Sequence, residues 1–385
     1  MNRKLLVVAG VIAAAAAVAC GSADSTSAFS GNPDDNTGGG DSSGPEGGTN
    51  PQTGGLTEGG APLASAGSVV LVHASRNLPA FRVCFEGVTN TLPLPDDKIM
   101  PNANVVGVDV GTAVHIGELN DFKGISSSDA SVPVYDAGEA GPASPVFGTV
   151  HVIEERLTRQ FYPQGTDPTA WPDCGNIVTL LRQNGYEGHG LYTLNGDTVT
   201  PNSSLANFVV VKGCLPDPTL STKECGTGFT TTGGNLSYQL LTVVAQDGMG
   251  FDFEGVSASP AVPNGTSLYY NPVNPPQSSA LPIRSDIVST GESSTLPSAD
   301  SDYGKASFEL RDGTNKLIFQ QTLADIQARS APRDLPASFF GLRSTFVLFA
   351  IGDPTVTDKT APTALHFLAV PVQDPDMIDP EGGAL

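Results

Sequence analysis

The chain has 385 residues, of which 15% are charged, and its formal net charge is −21. So acidic a surface repels nucleic acids and anionic membranes, and we therefore expect no nucleic-acid partner. With 44 glycines and 31 prolines, a chain of this length fits two globular domains and a tail.

Residues 1–19 are predicted to form a signal peptide. Arg3 and Lys4 precede the apolar stretch Leu5–Ala19, which is shorter than the roughly 20 residues that a membrane-spanning helix needs. The following Ala17-Val18-Ala19-Cys20 resembles the lipobox of bacterial lipoproteins, except that leucine is usual at the position of Ala17. The resemblance implies that Cys20 carries lipid, whereas ordinary cleavage after Ala-x-Ala is the alternative. We expect an exported protein that is lipid-anchored in the bacterial cell envelope, at the outer membrane.

Residues 20–66 are predicted to form a disordered tether behind the lipidated cysteine. The segment is rich in glycine, serine and aspartate, and it contains no lysine or arginine. Such a composition buries too little apolar surface to offset the entropy lost on ordering. A flexible coil of this length would hold the folded part roughly 35–40 Å from the anchor.

Four further cysteines indicate two disulfides in an oxidising compartment. Cys214 and Cys225 flank a short loop and are the natural local pair, which leaves Cys84 for Cys174. Zinc is the competing interpretation. No C-x-x-C pair and no histidine beside a cysteine supports it, so we expect no metal at these residues.

The folded part is predicted to begin with two strands. Val69–Ser75 is an apolar, β-branched run that is typical of a buried strand. In the next strand Phe81, Val83 and Phe85 alternate with polar residues, which indicates a half-exposed strand that directs Cys84 away from the core.

These strands carry a family resemblance. His73-Ala74-Ser75, Pro79-Ala80 and Glu86-Gly87 resemble the opening of domain-of-unknown-function family 4397, although Arg76-Asn77-Leu78 departs from its pattern. The family consists of bacterial modules with an immunoglobulin-like β-sandwich fold and no assigned chemistry. The resemblance covers about one pair of strands and implies the same fold here.

Short strands and glycine- or proline-rich joints continue along the chain. Strands are predicted at Val105–Val110, Thr112–Ile116 and Gly148–Ile153, and a helix at Ile177–Gln183. The clearest hairpin joins Ala306–Arg311 to Lys316–Gln321 through Asp-Gly-Thr-Asn. This pattern predicts an all-β fold made of two immunoglobulin-like β-sandwich domains.

An internal similarity predicts the domain boundary. Phe208–Gly213 followed by Leu240–Asp247 resembles Phe346–Gly352 followed by Leu365–Val370, since each pair has an apolar strand ending in glycine and then a second apolar strand. We interpret these as the closing hairpins of two similar domains, residues 67–247 and 248–378, before a tail at 379–385.

Few residues suggest chemistry. His73 and Ser75 would share a strand face as base and nucleophile, but no acidic partner or nucleophile elbow accompanies them. The pairs His115/Glu118 and His151/Glu154 are three residues apart, which places each pair on opposite faces of a strand and disfavours metal binding.

Carboxylate clusters and one tryptophan are weaker candidates. The clusters would suit calcium, but none follows the EF-hand pattern; they are Asp96-Asp97, Asp300–Asp302 and Asp374–Glu381. Trp171 lies in a proline-rich loop next to Cys174 and would contact a carbohydrate or protein, or simply pack over a sheet edge.

The sequence therefore predicts a non-enzymatic envelope lipoprotein that binds or spaces other envelope components. It needs no cofactor, and its partners are the membrane, through the lipid on Cys20, and an envelope protein or carbohydrate. An exported hydrolase with an unrecognised site and a calcium-dependent adhesion module are the alternatives.

Overall fold

The computed structural model is built from strands, with four short helices among the residues that it describes. The described residues are 64–87, 99–101, 107–119, 147–162, 172–195, 201–244, 251–259, 261–262, 266–271, 279–281, 294–296, 306–330 and 344–372. The predicted all-β class is thereby confirmed. Residues 52–385 form one compact unit.

The strands are β1 Ser68–Ser75, β2 Phe81–Gly87, β3 Ala113–Glu118, β4 Phe147–Glu154, β5 Leu191–Asn195, β6 Ala206–Gly213, β7 Ser237–Val243, β8 Phe251–Ser257, β9 Ser267–Asn271, β10 Ser279–Leu281, β11 Ser294–Leu296, β12 Ser307–Arg311, β13 Leu317–Thr322, β14 Ser344–Ile351 and β15 His366–Val372. The helices are α1 Glu155–Phe161, α2 Cys174–Gln183, α3 Thr222–Cys225 and α4 Leu323–Ser330.

The strands form four sheets, two in the N-terminal half (residues 64–244) and two in the C-terminal half (residues 251–372). Sheet I has the order β3-β1-β6-β7, and sheet II has the order β2-β4-β5. Sheet III has the order β11-β8-β14-β15, and sheet IV has the order β10-β9-β12-β13. Sheets I and III have the same topology. In each sheet the two central strands are parallel, β1 with β6 and β8 with β14, and each outer strand is antiparallel to its neighbour.

Each half has its own core between its two sheets. In the N-terminal half, Val69 and Leu71 of sheet I pack with Phe81, Val83 and Phe85 of sheet II. In the C-terminal half the corresponding core contains Phe346 and Leu348 of sheet III and Phe308 of sheet IV, together with two residues of α4, Leu323 and Ile326.

A third core joins the halves. The alternate residues of sheet I, such as Val70 and Phe208, point away from sheet II and pack against Val347 and Phe349 of sheet III. Sheets I and III are therefore covered on both faces. This explains why their strands are continuous apolar runs instead of alternating ones.

The structure corrects the prediction that β2 is half exposed. Its outward face is covered by α1 and α2, so that Arg82 is fully buried and pairs with Glu155, with 2.7 Å between Nε and Oε2. Cys84, on the same face, forms a disulfide with Cys174 at the start of α2. An ion pair and a disulfide thus hold a helical layer on a face that the alternation alone would expose to water.

Other elements differ at their ends. Helix α2 begins at Cys174, three residues before the predicted start, and α1, α3 and α4 were not predicted. Residues 107–110 form no strand, only an isolated pairing of Val108 with Phe81, and 102–106 lie outside the described residues. The proposed boundary near residue 247 also lies outside them, so the division into two domains remains a prediction.

The shared core allows a test of that division. A fragment of residues 67–247 exposes Val70, Val72 and Phe208, so we expect it to self-associate, whereas residues 52–385 stay monomeric. Light scattering after gel filtration measures the difference, and Phe208→Gln within the fragment should weaken the association. A monomeric fragment with cooperative unfolding would show that the N-terminal half does not need sheet III.

Candidate functional site

A row of polar side chains crosses the outward face of sheet II. In the ladder His151 of β4 lies opposite Thr193 of β5, and Glu86 of β2 is close by. The His151 Nε2 is 2.9 Å from Glu86 Oε2, and its Nδ1 is 3.2 Å from Thr193 Oγ1. His151 is fully buried, and this burial lowers its pKa. We infer a neutral ring whose Nε2–H donates to Glu86, while Nδ1 lies beside the Thr193 hydroxyl, which donates its one proton to Glu187.

The row continues beyond the sheet. Thr193 Oγ1 is 2.8 Å from Glu187 Oε1, and Arg182 Nη2 donates to the same Thr193 oxygen at 3.4 Å. Arg182 also pairs with Glu187, with 3.0 Å between Nε and Oε2. The polar row thereby ties the three strands of sheet II to α2 and to the turn that follows this helix.

The arrangement has the residue types of a nucleophile, a base and an acid, but the hydroxyl proton is already engaged. Thr193 Oγ1 donates this proton to Glu187 and accepts from Arg182, and His151 Nδ1 lies 3.2 Å away. A substrate carbonyl would have to displace one of these partners before attack. The row therefore acts first as a cross-link.

Sequence reasoning missed this row. The alternation in β2 placed Glu86 on the outward face, and the same rule applied to β4 and β5 would give outward faces to His151 and Thr193. The register that sets the three side by side depends on long-range pairing, which spacing along the chain does not reveal.

An open groove of about 910 Å³ runs beside the row. One wall is β5 with Tyr192 and Thr193, and the other is the loop that follows β6, with Leu215 and Leu236. The disulfide between Cys214 and Cys225 closes this loop. The groove thus has a polar wall on a sheet edge and an apolar wall fixed by a covalent bond.

A buried carboxylate, Glu154, bonds two residues that line the groove, Tyr192 and Arg156. Glu154 accepts a hydrogen bond from the Tyr192 hydroxyl at 2.8 Å and one from Arg156 Nε at 2.5 Å. Burial, together with the bond to Glu154, raises the pKa of Tyr192. The phenol is therefore held protonated as a donor, which makes this cluster another structural contact.

His73 and Ser75 do not act on one another. The His73 ring is fully buried and donates from Nδ1 to the Val108 carbonyl at 3.0 Å, whereas Ser75 Oγ donates to the Gly213 carbonyl at 2.9 Å. Burial lowers the pKa of His73 to about 4. Both residues thus serve as connections within the N-terminal half.

The expectation that His115 and Glu118 lie on opposite faces of a strand was wrong. The two side chains meet, with 3.2 Å between Nε2 and Oε1, although both lie on β3. The ladder shifts between Val69 and Val70, and Gly117 has a φ of 147°, so the strand bulges and its alternation breaks. By contrast, His151 and Glu154 have separate partners, as the strand rule predicts.

The disulfides follow the pairing that the spacing predicts, Cys84 with Cys174 and Cys214 with Cys225. Within the described part of the chain no group of three histidine, cysteine or carboxylate side chains is placed to hold a metal ion. Several predicted sites lie outside the described residues: Cys20, Trp171, Asp96-Asp97, Asp300–Asp302 and Asp374–Glu381.

Comparisons with known proteins give no family. No protein-family model matches the chain, and no curated protein matches it in sequence. The resemblance to domain-of-unknown-function family 4397 therefore remains a prediction. Among the described helices, none is long and apolar enough to cross a membrane.

Removing the Thr193 hydroxyl tests the cross-link. Thr193→Val removes the hydroxyl that bonds Glu187 and Arg182 and places a methyl group beside the buried His151 Nδ1, so we expect about 1–3 kcal/mol less stability in urea unfolding. Thr232→Val, an exposed position in the same groove, is the control and should stay within about 0.5 kcal/mol of the unsubstituted protein. Equal effects at the two positions would contradict a structural role for the row.

The buried His73 predicts loss of stability in acid. Its folded pKa is about 4, below the 6.5 that is ordinary for histidine, so below pH 6.5 the unfolded chain binds a proton that the folded protein does not. Stability is then lost as pH falls from 6.5 towards 4, by about 2 kcal/mol at pH 5.

This contribution can be isolated by substitution. His73→Gln keeps an amide donor for Val108 and should flatten the pH dependence of unfolding between pH 7.5 and 5 by about 2 kcal/mol. His189→Gln, at an exposed position, is the matched control. An unchanged slope in His73→Gln would show that this ring is not protonated on unfolding in that range.

Proposed function

We propose that the protein is an envelope lipoprotein, anchored by lipid on Cys20, whose folded unit binds or spaces other envelope components without catalysing a reaction. The observation that carries the proposal is that the polar groups beside the groove form hydrogen bonds within the protein. Thr193 and Tyr192 are engaged by partners within the protein, which favours a fixed recognition surface over a reaction centre.

We further propose that each half is an immunoglobulin-like β-sandwich module. The support is the repeated strand order of sheets I and III and the facing sheets II and IV. Such modules present grooves and sheet edges on a rigid body, which suits a spacer that also binds. The acidic, glycine-rich segment 20–66 would serve as the flexible link to the anchor.

The anchor is tested by Cys20→Ser. Without a thiol to acylate, the variant should move from the membrane pellet to the soluble exported fraction, as seen by immunoblotting of fractionated cells. Ser22→Ala, two positions downstream, is the control and should remain in the pellet. A Cys20→Ser protein that stays with the membrane would contradict lipid anchoring.

An exported hydrolase is the second candidate, because Glu86, His151 and Thr193 have the residue types of a catalytic triad. A panel of p-nitrophenyl esters and glycosides offered to the purified protein tests it. Turnover that Thr193→Val abolishes, with Thr232→Val unaffected, would replace the non-enzymatic proposal. We expect no turnover above buffer.

A further inference from the structure

A second groove, here called the junction groove, opens where the two halves meet. Its volume is about 900 Å³. The C-terminal half lines it with β13, α4 and the segment before β15, and the N-terminal half contributes the turn at residues 110–112. The groove therefore exists only because the halves are docked.

The edge of a sheet forms one side of the junction groove. Among the described strands β13 pairs only with β12, so it is the last strand of sheet IV. Five successive residues, 317–321, line the groove. Because successive side chains point to opposite faces, a groove that contacts all five must run along the strand edge. Such an edge offers backbone donors and acceptors to another extended chain.

Two cations lie in the junction groove without a carboxylate partner among the described residues. Arg329 donates from Nη1 to the Lys359 carbonyl and from Nη2 to the Ala361 carbonyl, both at 2.8 Å. Lys359 Nζ donates to the Val356 carbonyl at 3.2 Å. The nearby Asp325 carboxylate instead accepts from the Thr322 hydroxyl at 2.7 Å.

The charge of Arg329 is partly desolvated. Burial lowers its pKa, and no described acid offsets the loss of water. Within the described residues the lining holds two cations, Arg329 and Lys359, against one carboxylate, Asp325, in a chain with a net charge of −21. The groove therefore complements a negative ligand better than the rest of the surface does.

The third property of the groove is that it presents apolar side chains. Leu317 has 44% of its surface exposed, and Ile318 and Phe319 are half buried beside it. A strand edge, apolar side chains and two cations that no described carboxylate pairs together match one kind of ligand, an extended peptide with apolar residues and an acidic end.

We propose that the junction groove binds an extended acidic segment of a partner protein, which adds as a strand to β13 and places its carboxylates against Arg329 and Lys359. This inference rests on the proposed binding role and names the partner class. It does not depend on the anchor, so its test uses the soluble chain without lipid.

The test uses a labelled peptide and fluorescence anisotropy. The probe is a seven-residue fluorescein-labelled peptide of alternating valine and threonine that ends in two glutamates. A matched probe ends in two lysines. We expect the glutamate probe to bind at least about tenfold more tightly than the lysine probe, and added salt to narrow the difference.

Variants locate the binding. Lys359→Gln, at an exposed side chain, and Arg329→Gln should each weaken binding of the glutamate probe several-fold. Together they should weaken it about tenfold. Arg156→Gln removes a cation from the other groove and should have no effect. Lys359→Gln keeps the test decisive if Arg329→Gln fails to fold, which circular dichroism will show.

Strand addition has its own test. Two further probes carry N-methyl groups on alternate amides, one on the odd and one on the even residues. Because only alternate amides face the neighbouring strand, one probe should lose binding and the other should keep it.

Four results would overturn the proposal: no binding of the glutamate probe, equal binding of the lysine probe, equal binding of both methylated probes, or binding of polygalacturonate in place of peptide. The last would assign the cations to an acidic carbohydrate. None of these results bears on Cys20, so failure here remains distinguishable from failure of the anchor.

Discussion

The structure depends on the apolar contact between sheets I and III. Phe208 and Phe349 meet at its centre, with ring centroids 5.6 Å apart, and both are fully buried. Because each of these sheets also faces a second sheet, their strands must be apolar on both sides. The four sheets therefore stack in the order II, I, III, IV. Helices α1 and α2 cover the outer face of sheet II, and α4 packs into the core of the C-terminal half.

Polar contacts at the edge of this shared core fix how the halves meet. Arg76, after β1, forms an ion pair with Asp353, a buried acid after β14. His366, at the start of β15, contacts the Gly111 carbonyl at 3.2 Å through Nε2. His366 and Gly111 line the junction groove, so the proposed binding surface depends on the same docking that the shared core provides. Two modules that moved freely relative to one another would not preserve the junction groove.

Local pattern predicted much of the fold. The apolar run of β1, the hairpin of β12 and β13, and the disulfide partners followed from residue type and spacing. The similarity of the closing hairpins was visible in the sequence, and the structure adds a second similarity that was missed. Ser75 and Ser259, in Val-x-Ala-Ser segments, each donate to a glycine carbonyl at the end of the parallel strand, Gly213 and Gly352.

What the sequence could not show depends on contacts between distant residues. Arg82 is indistinguishable from a solvated charge until Glu155 is brought to it by α1. His115 and Glu118 meet only because the ladder bulges at Gly117. Glu86, His151 and Thr193 come from three strands, and no local pattern reveals their register. The polar sites are therefore the part of the protein that required a structure.

A double-mutant cycle on Phe208 and Phe349 tests the shared core most directly. Each substitution by alanine should remove about 3–5 kcal/mol of unfolding free energy. The pair should be non-additive by about 0.5–1.5 kcal/mol, because the rings contact one another. A control cycle of Phe208 with Phe308, which lies in the core of the other half, should be additive. Strict additivity of Phe208 and Phe349, with small losses for each, would show that sheets I and III do not share a core.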